Sequence, residues 1–326
     1  MSALPRLAPA LLLATACSGE TLTPGYEEPV RVPGAQFREG ELPGSAPLTT
    51  EQISAGEKPA SPNVTSIDVT GLSLVAGEGE KTIRGRVSTD AAALALRFDG
   101  LGSGYWVLPV GGPDPINGGE LTWSLTANVS PETPPGYHSL LFAAVGSQGR
   151  SGNQFAARLC IGSPVPDNLN HCDPKRLPPD LVVSLSWDRD VDLDLQLVAP
   201  NGKLVDPKRP TTDLGAPGEP PDPNGEGAGV LDRDSNADCV IDGLRRENLV
   251  FTERPLPGRY AVHASLNQAC GEKSTRFTLS LTSRIDGAEP DTYAQTKTYE
   301  KSGLLLASQA DGGVKLGLYV TEFVVE

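Results

Sequence analysis

Methionine occurs once, histidine three times, and aromatic residues make up only 5% of the 326-residue chain. Cations are scarce as well: 27 Lys and Arg stand against 41 Asp and Glu, a formal charge of -14. That balance repels nucleic acid and anionic lipid surfaces, so no nucleic-acid partner is expected. A long apolar run is also missing. The N-terminal one, Leu7 to Ala16, has ten residues, whereas a helix crossing a bilayer needs about 20. What the chain has instead is 36 glycines and 30 prolines. Both oppose helix interiors and suit turns, which points to an all-β protein. The length fits two domains or one large β domain.

Residues 1–16 carry one cation, Arg6, ahead of the apolar run and read as a secretion signal. In Leu13-Ala14-Thr15-Ala16-Cys17, small residues stand directly before a cysteine, and the segment resembles a bacterial lipoprotein signal. The resemblance implies cleavage before Cys17 and lipidation of Cys17. Ser18 in the next position implies sorting to the outer membrane. Ala14 stands where that family usually has Leu. The alternative is an ordinary signal peptide in which Cys17 is incidental. Several acyl chains on one residue exceed the threshold for stable anchoring, so the membrane is an expected partner. Residues 17–63 are then the lipidated cysteine and a Pro-, Gly-, Glu- and Ser-rich segment without periodicity. Such a composition predicts a disordered tether.

From 64 to 162 short alternating runs are bounded by turn residues. Ile83 and Val87 share a side, as do Leu94, Leu96 and Phe98, and Leu121, Trp123 and Leu125. Period two predicts half-buried strands, at least six of them, and a β-sandwich. This segment resembles immunoglobulin-like or fibronectin-like modules in general character. A proline-rich linker is expected over 163–180. A second sandwich is expected over 181–326, where Leu181, Val183, Leu185 and Trp187 share one face and Val191, Leu193, Leu195 and Leu197 another. Strands are also predicted at 247–252, 259–266, 275–283 and 315–325.

With Cys17 assigned to lipid, Cys160, Cys172, Cys239 and Cys270 remain. An even number in an exported chain predicts two disulfides, with three connectivities open. Local pairing is favoured, Cys160 with Cys172 and Cys239 with Cys270. None of the spacings resembles a zinc-binding Cys-x-x-Cys pair.

The densest polar constellation lies in the second half. Asp188 precedes Asp190, Asp192 and Asp194, which alternate on one strand face about 7 Å apart. Asp232, Asp234, Asn236 and Asp238 alternate in a second acidic stretch that ends at Asp242. Repeated carboxylates in an exported chain suit a hard cation, and Ca²⁺ is the natural one. The stretch resembles the first half of EF-hand, dockerin and thrombospondin calcium loops. It departs from the EF-hand at Ala237, where the turn glycine belongs, and at Gly243, where the bidentate Glu belongs. The competing reading is a solvated acidic loop held by Arg245, Arg246 or the backbone.

Trp187-Asp188, then Asp192-Leu193-Asp194-Leu195, Pro200-Asn201-Gly202 and Pro257-Gly258-Arg259-Tyr260 resemble the YfaP-like β-sandwich family of bacterial exported proteins over residues 180–284. The resemblance implies fold and exported location more than activity. Gln196 stands where that family commonly has His.

Enzyme signatures are sparse. His138, His171 and His263 accompany neither a Gly-x-Ser-x-Gly elbow nor a His-Glu-x-x-His pair, and the glycines at 100, 102 and 104 suit a hairpin connection. Trp123 and Trp187 fall on apolar strand sides, which leaves Tyr105 and Trp106, beside a glycine turn, as the one candidate exposed pair for a sugar platform. The expectation is a lipid-anchored, non-enzymatic binding or structural module of the cell envelope, stabilised by calcium, with an envelope protein or polysaccharide as partner. The alternatives are an envelope hydrolase with a site between the domains and a carbohydrate-binding surface protein.

Overall fold

The computed structural model describes residues 24–68, 73–77 and 79–326, and the architecture is all-β. The signal segment and Cys17 lie outside the described residues. No helix of the described residues is long and apolar enough to cross a membrane.

Residues 30–162 form two facing sheets. One is four-stranded, in the order Val30–Arg31, Glu120–Val129, Lys81–Ser88, Val64–Asp68; the other is six-stranded, in the order Gln36–Glu39, Gly104–Pro109, Ala91–Phe98, Gly136–Gly146, Phe155–Gly162, Ser73–Val75. The alternation seen in the sequence is the packing pattern. Ile83, Val87, Leu94, Leu96, Phe98 and Trp123 all point into one core, with the Trp123 ring 5.4 Å from that of Phe142.

The expectation of a disordered tether does not hold from residue 24 onward. Val30–Arg31 and Gln36–Glu39 pair as edge strands with Asn128–Val129 and Gly104–Val107. Val30, Val32 and Leu42 are buried, and the Glu28 carboxylate accepts from the Ser103 backbone N–H at 2.8 Å and its hydroxyl at 2.6 Å. Edge strands of two and four residues are too short to show a period, so composition alone misreads them.

Residues 181–325 form a second pair of sheets over a separate core. The five-stranded sheet runs Gly229–Leu231, Arg246–Phe251, Leu181–Trp187, Ser274–Asp286, Tyr293–Leu306; the four-stranded one runs Leu204–Val205, Asp192–Val198, Gly258–Gln268, Leu318–Val325. Val183, Leu185 and Trp187 of the first sheet share this core with Leu193, Leu195 and Leu197 of the second, together with Phe251 and Tyr260. The Tyr260 ring stacks on Phe323 at 5.0 Å, and its hydroxyl donates to the Leu256 carbonyl at 2.8 Å. At the Pro257-Gly258 turn, Gly258 has φ 136° and a Cβ there would lie 2.5 Å from Pro200 Cβ, so the turn requires glycine.

The Pro-rich segment between the two cores is fastened to the edge strand Tyr293–Leu306: Asn170 Nδ2 donates to the Tyr293 carbonyl at 3.1 Å, and Gln295 Nε2 to that of Pro166 at 3.0 Å. The disulfides are Cys160–Cys172 and Cys239–Cys270. The first ties a strand end to the Pro-rich segment, and the second ties the acidic loop to the turn after the Gly258–Gln268 strand.

Candidate metal centre

Alternation along Asp192–Val198 sends Leu193, Leu195 and Leu197 into the core and leaves Asp192, Asp194 and Gln196 on the opposite face. That face is not open to water. Asp192 is 0%, Asp194 5% and Gln196 2% exposed. The loop after Gly229–Leu231 folds over it, with the Asp238 N–H donating to Asp192 Oδ2 at 2.9 Å, and the Gly317 N–H donates to Gln196 Oε1 at 2.9 Å. Asn236 fastens the loop, donating through Nδ2 to the Val191 carbonyl at 3.0 Å and accepting the Asp242 N–H at 3.0 Å.

This fold-over brings together carboxylate oxygens of Asp192, Asp194 and Asp234 that all lie within 4.8 Å of one another. Two oxygens on opposite sides of one Ca²⁺ are separated by about 5 Å, given ligand distances of about 2.3–2.6 Å. No other residue donates to Asp192 Oδ1 or Asp194 Oδ1, both buried; the two carboxyls lie within hydrogen-bonding reach of each other and can share a proton. A buried carboxylate oxygen with no partner costs folding free energy unless a proton or a cation meets it. Among the described residues no Lys, Arg or His forms an ion pair with Asp192, Asp194, Asp234 or Glu247. Burial, followed by the charges of Asp234 and Asp238, pushes the Asp192 carboxyl up to about 6. Burial, followed by the charges of Asp192, Asp234 and Asp206, pushes Asp194 up to about 8. Asp234, exposed at the surface, is raised by partial desolvation and by the charges of Asp238 and Asp242.

Glu247, on Arg246–Phe251 of the opposite sheet, is completely buried. Its Oε2 accepts the Leu195 N–H at 2.7 Å and its Oε1 accepts the Ser235 N–H at 3.2 Å. One carboxylate therefore grips the residue after Asp194 and the residue after Asp234, and so sets the two candidate ligands against each other across the sandwich. Burial and the charges of Asp194 and Asp234 raise its own carboxyl well above the usual range. Sequence reasoning missed Glu247, because one acidic residue at a strand start reads as an exposed position.

The other carboxylates predicted for the site are engaged elsewhere. Asp188 accepts the Arg276 N–H at 2.8 Å, and Asp190 pairs with Arg245 at 2.7 Å. Asp232 accepts both the backbone and side-chain N–H of Asn248 at 2.8 Å. Asp242 accepts from the Ser235 hydroxyl at 2.9 Å and the Leu244 N–H at 2.9 Å. Asn236 is the loop fastener described above. Alternate spacing fails in this loop because Asn236, Asp238 and Cys239 all have left-handed backbone, φ 62°, 50° and 63°, so successive side chains do not fan around one point. Asp238 stays beside the trio and lines a cleft of about 300 Å³ together with Asp194, Asp234, Lys208, Asn267 and Gln268.

Tyr105 and Trp106 do not form an exposed pair. They are consecutive on Gly104–Pro109 and face opposite sides of the sheet. Trp106 donates Nε1 to the Val30 carbonyl at 2.6 Å and packs 5.3 Å from the Phe37 ring, while Tyr105 packs beside Leu42 and Ala95. The histidines are apart: His138 meets the Pro134 carbonyl at 2.8 Å, His263 the Gly317 carbonyl at 3.1 Å, and His171 pairs with Asp167.

No family model and no curated protein matches the chain. Among solved structures, dimeric latent PorU from Porphyromonas gingivalis is similar to it at 11% identity and a TM-score of 0.20, over 78% of this chain and 31% of that one.

Proposed function

We propose that the chain is a lipid-anchored, non-enzymatic module of the bacterial cell envelope, at the outer membrane, whose second sandwich takes up a calcium ion between Asp192, Asp194 and Asp234. The observation that carries the calcium reading is the pair of buried oxygens, Asp192 Oδ1 and Asp194 Oδ1, to which no donor residue points, beside a third carboxylate at cation-ligand spacing. A bound dication would satisfy both oxygens and offset the repulsion among the carboxylates. All-oxygen ligation by several carboxylates suits Ca²⁺ better than Mg²⁺, which keeps most of its waters and demands tight octahedral geometry. Asp192 and Asp194 come from one sheet, while Asp234 follows a strand of the other. The ion is therefore a staple between the two sheets, next to the Cys239–Cys270 disulfide. Export is supported by the sequence before Cys17 and by two disulfides, which persist in oxidising compartments. The partner is an envelope protein or polysaccharide.

Calorimetric titration of the EDTA-stripped chain with CaCl₂ gives a one-site heat that MgCl₂ does not reproduce and that Asp194→Asn abolishes. Absence of that heat in the wild-type chain removes the calcium reading. For the anchor, metabolic labelling with a fatty acid marks the wild-type chain and not Cys17→Ala; label retained in that variant removes the lipid.

A further inference from the structure

We infer that the cleft beside the carboxylates is a calcium-dependent site for a neutral, hydroxyl-rich ligand, a sugar or polyol carrying adjacent hydroxyl groups. This rests on the calcium reading above and assigns the site a ligand class.

Asp194 and Asp234, two of the three candidate ligands, also line the cleft. A cation held between them is therefore part of the cleft wall. Calcium takes six to eight oxygens, and three aspartates do not fill that shell with one oxygen each. The open positions belong to water or to oxygens of a bound molecule. Two adjacent hydroxyls replace two waters on calcium without changing the charge of the site, while their O–H groups remain free to donate to carboxylates.

The rest of the lining selects the class. Asp194, Asp206, Asp234 and Asp238 face a single ammonium, that of Lys208. Arg209 pairs with Asp206, and Asp192 stands behind Asp194, so five carboxylates face Lys208, Arg209 and a seated dication with one negative charge left over, and a phosphate, a sulfate or a uronate meets repulsion. Among the described residues no aromatic ring lines the cleft, so a flat ligand finds nothing to stack on, and a volume of about 300 Å³ stands at the small end of ligand sites. What the walls offer is hydrogen bonding in both directions. The Asn267 amide and the Lys208 ammonium have no hydrogen-bond or ion-pair partner among the described residues. Asp238 accepts from Gln268 Nε2 through Oδ1 at 3.2 Å, which leaves its other oxygen to accept a hydroxyl. Gly312 and Gly313 close one side without side chains. Donors, acceptors and a cation with open positions in one small cleft match a ring of hydroxyls.

Saturation-transfer NMR on the full chain in detergent, with mannose, galactose, L-fucose and glucitol as probes and galacturonate as the anionic comparison, tests this. The expected result is transfer to at least one neutral probe in CaCl₂ that disappears in EDTA and in Asp194→Asn. Asn267→Ala removes no candidate calcium ligand and no charge; it keeps the calorimetric calcium heat and weakens binding of the neutral probe about tenfold. If calcium heat is present but none of the neutral probes shows transfer, or galacturonate alone does, the ligand assignment is overturned while the calcium reading stands. Absence of the calcium heat itself overturns the reading beneath both. Transfer that persists in EDTA also overturns the assignment.

Discussion

Chelation lowers the thermal unfolding midpoint of the second sandwich by about 5–10 °C at pH 8, the shift expected when a ligand present at about a hundred times its Kd is withdrawn from a folding unit of this size. The size of the effect follows from what the ion leaves behind: Asp192 and Asp194, buried, adjacent, each with an oxygen to which no other residue donates. Without a cation these groups must hold protons or repel. Asp192 is held up to about 6 and Asp194 up to about 8 in the folded chain, whereas the same groups ionise near about 4 when unfolded. Their folded values are raised, so the stability they confer on the metal-free chain is fully present below about pH 4 and is lost as pH rises through about 6 and then about 8. Calcium reverses the dependence, because it binds the ionised carboxylates and competes with their protons. The midpoint difference between CaCl₂ and EDTA therefore grows from pH 5 to pH 8. Asp194→Asn removes that difference and leaves the metal-free chain at least as stable as wild type at pH 8. A calcium-insensitive wild-type midpoint at every pH contradicts this, and so does an Asp194→Asn variant that keeps the shift.

Glu247→Ala destabilises the chain by about 2–6 kcal/mol, since the N–H groups of Leu195 and Ser235 each lose their acceptor inside the sandwich and an unsatisfied buried donor costs about 1–3 kcal/mol. Relief of repulsion with Asp194 and Asp234 returns part of that. Glu247→Gln keeps one acceptor oxygen and loses about 1–3 kcal/mol, for one stranded N–H. Both variants weaken calcium binding, because the carboxylate grips the backbone next to Asp194 and next to Asp234 at once. Urea unfolding in EDTA isolates the first effect, and calorimetry on the folded Gln variant isolates the second. A Gln variant with wild-type calcium affinity would show that Glu247 supports the fold without setting the ligands.

Much of the frame is legible in the sequence. The alternation through Leu181–Trp187 and Asp192–Val198 places the core faces correctly, and the two disulfides join the cysteines nearest in sequence. The strand Tyr293–Leu306 is not legible, because an edge strand with both faces largely exposed carries no apolar period. The same holds for the short strands near Val30 and Phe37. For the carboxylates, period two correctly puts Asp192 and Asp194 on one face. It cannot show that this face is covered, since the cover comes from residues around 236 and 317, far along the chain. Nor can spacing separate Asp234 from Asp232: the choice is made by Asn248, which holds Asp232 through two hydrogen bonds, and by Glu247, which fixes Ser235. Those are contacts between strands and loops, and no local pattern encodes them.

The most direct test is equilibrium dialysis of the purified full chain against radioactive calcium at pH 8, alongside the Asp192→Asn/Asp194→Asn double variant. The expected result is one calcium retained per wild-type chain and none by the variant. A wild-type chain that retains none at saturating calcium, or a double variant that retains as much as wild type, contradicts the assignment of these carboxylates to a cation.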